Sequence, residues 1–261
     1  MNNDLINVIR WLVSNKLSLN VAKTEYMLFG SPFRLSNLGK PHSLTIGEKT
    51  ITRVQHTVHL GVHLDESLKW DDHINQLSLK VSRAISGLRQ ARDFVDMKTL
   101  TMIYNALIQP HFDYCDAVWG NINSGLATRL QRLQNRAARV ITSQNYDVRS
   151  ADILNELNWD NLASRREKIL SMLIYDAVHH NVPEYISELS PLISKSNTYK
   201  FRLRNNNLNI NISHNPKTDY YKSSFSFRDT IHWNALSSDL KTSASKSVLK
   251  KKLSRGCQTA I

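Results

Sequence analysis

Four arginines, Arg129, Arg132, Arg136 and Arg139, recur three or four residues apart. On a helix that spacing places them on one face. A row of guanidinium groups suits the phosphates of a nucleic acid, which supply affinity without carrying sequence information. The same row also fits an ordinary solvated helix face, and residue type alone leaves both readings open. Lys250, Lys251 and Lys252, with Arg255 just beyond, form a second basic group. It suits a nucleic-acid or nuclear-localisation patch, and equally a plain basic tail.

Other chemistry is thinner. Asp71-Asp72-His73 has metal-ligand residue types, but consecutive helical residues point in different directions. A helix start is the better reading, with Asp71 as N-cap and Asp72 in the first turn. His179-His180 has no Cys or carboxylate at ligand spacing and reads as a surface helix end. Cys115 lies among apolar and aromatic residues, which predicts a buried structural thiol rather than a nucleophile. No metal site is expected, and there is no glycine-rich phosphate loop.

The 261 residues carry 34 Lys and Arg against 22 Asp and Glu, a net charge of +12. Residues 1–75 hold +1, 76–150 hold +5, 151–200 hold −2 and 201–261 hold +8. An anionic partner should therefore meet the second and fourth stretches first. With 41% hydrophobic residues the composition is globular. No apolar run is long enough to span a bilayer, and the N-terminus lacks signal-peptide features. Two cysteines, Cys115 and Cys257, make no disulfide framework. They fit reduced thiols, so an intracellular protein, nuclear or cytoplasmic, is expected.

Periodicity supplies the elements that must position these groups. Leu5, Val8, Ile9 and Leu12 predict a helix over 4–14, with Trp11 extending its apolar face. Tyr26–Phe29 reads as a buried strand ended by Gly30-Ser31-Pro32. Ser43–Ile46, Thr50–Val54 and Val58–Leu64 are further strand-like runs, with Gly47-Glu48-Lys49 a hairpin turn. Helices are predicted over about 71–92, 97–109, 125–143 and 161–180, with Pro110 stopping the second. Residues 194–218, rich in Asn, Ser and Lys, read as a long loop or linker. Phe225–Leu236 carries large apolar residues that must pack somewhere, and Ser247–Leu253 predicts a short basic helix. The fold class is α+β and mostly helical, divided into residues 1–70, 71–193 and 194–261.

Three stretches are more specific. The first runs from Trp11-Leu12 through Asn15–Asn20 to Lys23-Thr24-Glu25-Tyr26-Met27-Leu28-Phe29. The second is His59-Leu60-Gly61-Val62-His63-Leu64-Asp65, followed by Leu68, Trp70, His73 and Ile74. The third is Ile103-Tyr104 with Leu107–Cys115, then Val118-Trp119-Gly120 and Leu130–Arg139. Together, in this order, they resemble the C-terminal part of the reverse transcriptases of non-LTR (LINE-type, jockey/CR1-like) retrotransposons, over roughly residues 1–180.

The resemblance implies that residues 1–70 are the end of a small, incomplete palm-like α/β portion. It implies a primer-grip-like hairpin at Leu60, Gly61 and Val62, a thumb-like helical bundle over 71–193, and then a basic C-terminal region. It makes Lys23 an inherited palm-motif lysine near an incoming nucleotide. It also implies RNA or DNA as partner, an RNA–DNA duplex in particular. The family's catalytic aspartates, which hold Mg²⁺ in the intact enzyme, lie in earlier motifs with a Tyr/Phe-Ala-Asp-Asp turn that this sequence lacks. Asp4 is the only carboxylate before Glu25. The expectation is therefore a polymerase fragment that is inactive alone, keeps nonspecific RNA or DNA binding and has no catalytic residue of its own. A helical protein-interaction module, or an enzyme completed by upstream sequence, is the alternative. A palm-like portion without its other strands should expose apolar surface between residues 5 and 64.

Overall fold

The computed structural model describes residues 2–37, 39, 43–188, 209–210, 218, 222 and 224–256. They divide into two compact units, residues 1–80 and 81–261. Mostly helical α+β architecture is what is found.

The first unit opens with α1 (Asn2–Ser14). Leu5, Ile9 and Leu12 are half-covered, but Val8 and Trp11 face solvent, Trp11 at 61% exposure. The apolar face is thus narrower than its periodicity implied. A 3-10 turn (Val21–Lys23) leads to β1 (Glu25–Tyr26) and a short helix, α2 (Pro32–Ser36). Five further strands follow: β2 (Thr45–Ile46), β3 (Lys49–Thr50), β4 (Thr52–Arg53), β5 (His56–His59) and β6 (Val62–Asp65). They form three separate pairs: β1–β4 parallel, β2–β3 antiparallel and β5–β6 antiparallel.

Several strand expectations need correction. Of the Tyr26–Phe29 run only Tyr26 is paired, together with Glu25 before it; Met27 and Leu28 are half-covered and Phe29 is exposed. The Thr50–Val54 run splits, because Ile51 is buried in the core and its neighbours pair in different directions. Val58–Leu64 is not one strand but the arms of a hairpin. The surface expectation does hold: Ile6, Val13, Phe33 and Leu60 are among the large apolar residues left exposed in this unit.

The β5–β6 turn is Leu60-Gly61, with φ +47° and +81°. Two left-handed residues match the twist of a tight hairpin, and glycine takes the second position without a Cβ clash. After β6 the chain must reverse sharply into α3 (Asp71–Ala91), and Leu68 (φ +51°) and Trp70 (φ +69°) are both left-handed. Asp65 holds this reversal together. Its carboxylate accepts from Ser67 N–H (2.9 Å), Ser67 O–H (2.7 Å), Lys69 N–H (2.9 Å) and Trp70 N–H (3.1 Å). Burial pushes the Asp65 carboxyl pKa up, but these hydrogen bonds outweigh it and leave it below its ordinary value. Trp70 is buried at the knot, as are Val62 and Ile51 before it and Ile74 and Leu77 on the first turns of α3. Asp71 is inside the helix rather than its N-cap; the residue before the helix is Trp70, and Ile74 N–H donates to its carbonyl at 2.9 Å.

The second unit begins at residue 81, within α3. It contains α4 (Met97–Leu107), α5 (Gln109–Asp113), α6 (Asp116–Trp119), α7 (Ser124–Thr142), α8 (Ser150–Glu156), α9 (Leu162–Val178) and α10 (Glu184–Ser187). A wide π-type turn (Phe225–Asp229) runs into α11 (Thr230–Ala235), followed by α12 (Ser238–Lys241) and α13 (Lys246–Gly256). Pro110 does not end a helix. It lies in the first turn of α5, where its missing N–H costs nothing, and α4 has already closed at Leu107. Cys115 is half-buried rather than buried, in a left-handed conformation (φ +54°) between α5 and α6. Cys257 lies outside the described residues.

Of residues 194–218, only 209, 210 and 218 are described, and Ile210 is not linker-like. It is buried with Leu170, Ile174, Tyr175, Val178, Trp233 and Leu249 in one apolar cluster. Asn234 fixes it by accepting from the Ile210 N–H (2.9 Å) and donating to its carbonyl (3.0 Å). Trp233 and Leu249 show where the apolar residues of 225–236 and the basic helix go: onto α9.

A second element of the unit is ionic. Arg165 of α9 makes a bidentate pair with Asp113, Nε to Oδ1 at 2.7 Å and Nη2 to Oδ2 at 2.6 Å. Gln109 donates to the same carboxylate (2.9 Å) and accepts from the Tyr104 hydroxyl (2.8 Å). Asp116, one helix on, is only 5% exposed, and its Oδ2 has no hydrogen-bond partner among the described residues. Burial first, and then the Asp113 charge, push its carboxyl up to about 6.

Two predictions follow from these carboxylates. Asp65→Ala should cost about 1–3 kcal/mol at neutral pH. Because the folded pKa is depressed, the deficit should shrink as pH falls below the ordinary carboxylate value; urea denaturation at several pH values checks both. Asp116 has the opposite sign. Its raised pKa favours the protonated native form, so its contribution is full below about pH 4 and is lost as pH rises through about 6. Asp116→Asn should remove that slope and raise stability by roughly 1–3 kcal/mol near neutrality.

Candidate nucleic-acid interface

The arginine row sits on α7. Asn123 caps this helix, accepting from the Leu126 N–H at 2.9 Å. Leu126, Leu130, Ala137, Val140 and Ile141 are buried on its inner face, so the arginines occupy the opposite flank. The row is not uniform along its length. Arg129 and Arg132 are exposed. Arg136 is half-buried, and its Nη2 donates to the Ser82 carbonyl at 3.4 Å. Arg139 folds back over the loop after α7. It donates to the Val148 carbonyl and the Ser150 hydroxyl, both at 3.0 Å, and lies 5.3 Å above the Tyr146 ring centroid. The outer half of the row faces solvent, and the inner half ties α7 to α3 through Arg136 and to the following loop through Arg139.

The basic C-terminal helix divides in a similar way. Leu249 is buried, and Leu253 packs on the same cluster. Lys252 pairs with Asp239 (2.6 Å), and Lys246 pairs with Asp176. Lys250 and Lys251 face outward. Nothing is described of the Arg255 side chain.

In the first unit, Lys23 ends the 3-10 turn with an exposed side chain, and its N–H donates to Asn20 Oδ1 at 3.2 Å. Leu60 and Gly61 form the exposed tip of the hairpin, while Val62 points into the core. Asp72 pairs with His56 across the hairpin-to-helix junction at 2.9 Å, and His73 is buried with its Nδ1 accepting from the His63 N–H at 3.4 Å. Burial, helped by repulsion from His63 and Lys80, lowers the His73 pKa to about 4, so the ring is neutral at physiological pH. These three consecutive residues therefore face different partners.

Mg²⁺ demands several oxygen ligands in a tight octahedral set. Among the described residues no three His, Cys, Asp or Glu side chains gather to hold a metal ion. The described residues do not fit a Mg²⁺ site. Among the described residues, no helix is long and apolar enough to cross a membrane.

Sequence reasoning missed a cluster of amides. Gln134, almost fully buried, donates to the Asp160 carbonyl at 3.0 Å. Gln131 donates to Gln134 (2.7 Å) and Asn135 (2.8 Å) and accepts from the Leu162 N–H (2.8 Å). These bonds join the middle of α7 to the start of α9. The signal available was Gln131, Gln134 and Asn135 lying at helical spacing beside the arginines.

No family profile matches the chain, and no solved structure matches it. Two curated proteins do. Over 150 residues, 56% of this chain, it is 23% identical to the probable RNA-directed DNA polymerase from transposon X-element of Drosophila melanogaster. Over 103 residues, 38% of this chain, it is 27% identical to the probable RNA-directed DNA polymerase from transposon BS of the same fly. It spans 16% of the first relative's length and 11% of the second's. Across these partial stretches, the chain is similar to RNA-directed DNA polymerases from transposons.

Proposed function

We propose that this chain is a nucleic-acid-binding part of a retrotransposon reverse transcriptase, gripping phosphates through the outer half of the α7 arginine row. The observation that carries the reading is the similarity to transposon RNA-directed DNA polymerases over 150 residues. The exposed Arg129 and Arg132 supply the chemistry. Cations on a rigid helix track a phosphate backbone without reading its bases. Lys250 and Lys251 add charge from a second helix, and the partner is an RNA–DNA duplex.

On this reading, residues 1–70 correspond to the end of a palm, with Leu60, Gly61 and Val62 as a primer-grip-like hairpin. Residues 71–193 correspond to a thumb, residues 194–261 form the basic region beyond it, and Lys23 is an inherited palm position. Binding, rather than polymerisation, is the activity proposed for the chain by itself. The carboxylates that would hold Mg²⁺ are not gathered among its described residues.

The reading predicts salt-sensitive binding of an RNA–DNA hybrid in fluorescence anisotropy. Each phosphate contact contributes about 0.9 to the slope of log affinity against log salt. Arg129→Ala with Arg132→Ala should therefore flatten the slope by about 2. Arg139→Ala should leave the slope unchanged and lower the melting temperature instead, because it frees the 143–149 loop. Absence of binding at low salt, or a slope indifferent to Arg129 and Arg132, would sink the proposal.

A further inference from the structure

Beside the arginine row lies a cleft of about 520 Å³. Its walls come from α7, α8, the Asn158–Asn161 link, the start of α9 and Ser254 of α13. The volume falls in the usual range for small-ligand sites. Its lining is unlike the rest of this basic protein. The charged side chains in it are Lys168 and Asp160, and they neutralise each other, with Lys168 Nζ 2.7 Å from both carboxylate oxygens. The cleft therefore offers no net charge to a phosphate.

It offers instead an aromatic ring and neutral amides. Trp159 borders the cleft and is stacked on Tyr104, with ring centroids 4.0 Å apart and planes at 22°. Tyr104 is buried, and the half-buried indole also packs on the Ala138, Ile153 and Leu154 cluster, so it is held rigidly at the edge of the cleft. Asn155 and Asn158 are exposed at the rim, and each amide can both donate and accept. Asn135 uses its Oδ1 to accept from Gln131, which leaves its NH₂ group as a donor facing this wall. An uncharged ligand with a flat π face and a mixed donor–acceptor edge matches this set, and that describes a nucleobase.

Position makes the match specific. Asn135 is three residues from Arg132 on α7, so the two are neighbours on the helix surface. A phosphate held by Arg132 is therefore about one helical turn from a residue that lines the cleft. A base inside a duplex is stacked and paired, and cannot enter. We propose that the cleft receives one unstacked base of an unpaired strand adjoining the duplex that the arginines hold, so that a single strand gains a contact which a blunt duplex lacks. The inference rests on the phosphate-binding reading of Arg129 and Arg132, and adds a base-binding site to it.

The test uses the full chain and three probes: a labelled single-stranded oligonucleotide, a blunt duplex of the same sequence, and free AMP. Two variants alter the cleft without touching the arginines. Ala151→Tyr fills it from the exposed face of α8. Asn155→Ala with Asn158→Gly removes rim amides, and glycine keeps the left-handed backbone of Asn158 (φ +53°). Both should weaken single-strand binding about tenfold, the scale of one lost base contact, and leave duplex binding and the urea midpoint unchanged. AMP should bind the wild type far more weakly than the oligonucleotide does. Equal losses for single strand and duplex, no loss in either folded variant, or AMP binding as tightly as the oligonucleotide would each overturn the base site. If Arg129→Ala with Arg132→Ala leaves all binding intact, the phosphate reading itself fails. That outcome is distinct from an unresponsive cleft.

Discussion

The second unit depends on burying α9 from several sides at once. Leu162, Leu170, Ile174, Tyr175, Ala177 and Val178 are all buried along it, and no single neighbour could cover them. The described contacts reach α6, α7, α10, α11 and α13. A helix buried on most of its circumference must also satisfy its polar groups internally. That is why its polar residues are so fully committed. Arg165 binds Asp113, Lys168 binds Asp160, and Ser171 donates to the Glu167 carbonyl and meets His232 Nε2 at 2.8 Å. The amides of Gln131 and Gln134 then close the junction between α7 and α9. The arginine row keeps its position because the helix carrying it is fastened to this central one.

The first unit is organised differently. Its strands are two to four residues long and form three separate pairs, so ladder hydrogen bonds can contribute little. What gives it a defined core is the Asp65 knot, which stabilises two left-handed residues and delivers Trp70 to the interior. Residues in such conformations cost about 1–3 kcal/mol each and persist only where their surroundings over-determine them. Much of α1 and the loop regions remains apolar and exposed, so this unit stabilises itself from its C-terminal end.

The legible parts of the fold were those where one face of one element decides the outcome. The 3–4 spacing of apolar residues located α3, α4 and α7, because their inner faces are continuous. The short strands were blurred, since two paired residues leave almost no alternation to detect. Pro110 misled because it is as compatible with the first turn of a new helix as with the end of an old one. Ile210 and Trp233 could not be placed, because their neighbour on α9 is distant in sequence. The candidate site was half legible. Spacing put four arginines on one flank, but only the folded chain brings Val148 and Ser150 within reach of Arg139.

That division changes what the net charge of +12 means. In the second unit Arg165, Lys168, Lys246, Lys252, Arg228 and Arg149 each lie against a carboxylate. A paired cation contributes little field beyond about 10 Å at ordinary salt. Arg136 and Arg139 keep their charge but hold it against backbone carbonyls. On α7 the exposed guanidinium groups are those of Arg129 and Arg132, toward its N-terminus, whereas the charged pair lining the cleft beside Asn135 sums to zero. A strand drawn in by its phosphates would find positive charge on the helix and no charge in the cleft. A gradient of that kind orients a nucleotide with its phosphate outward and its base inward.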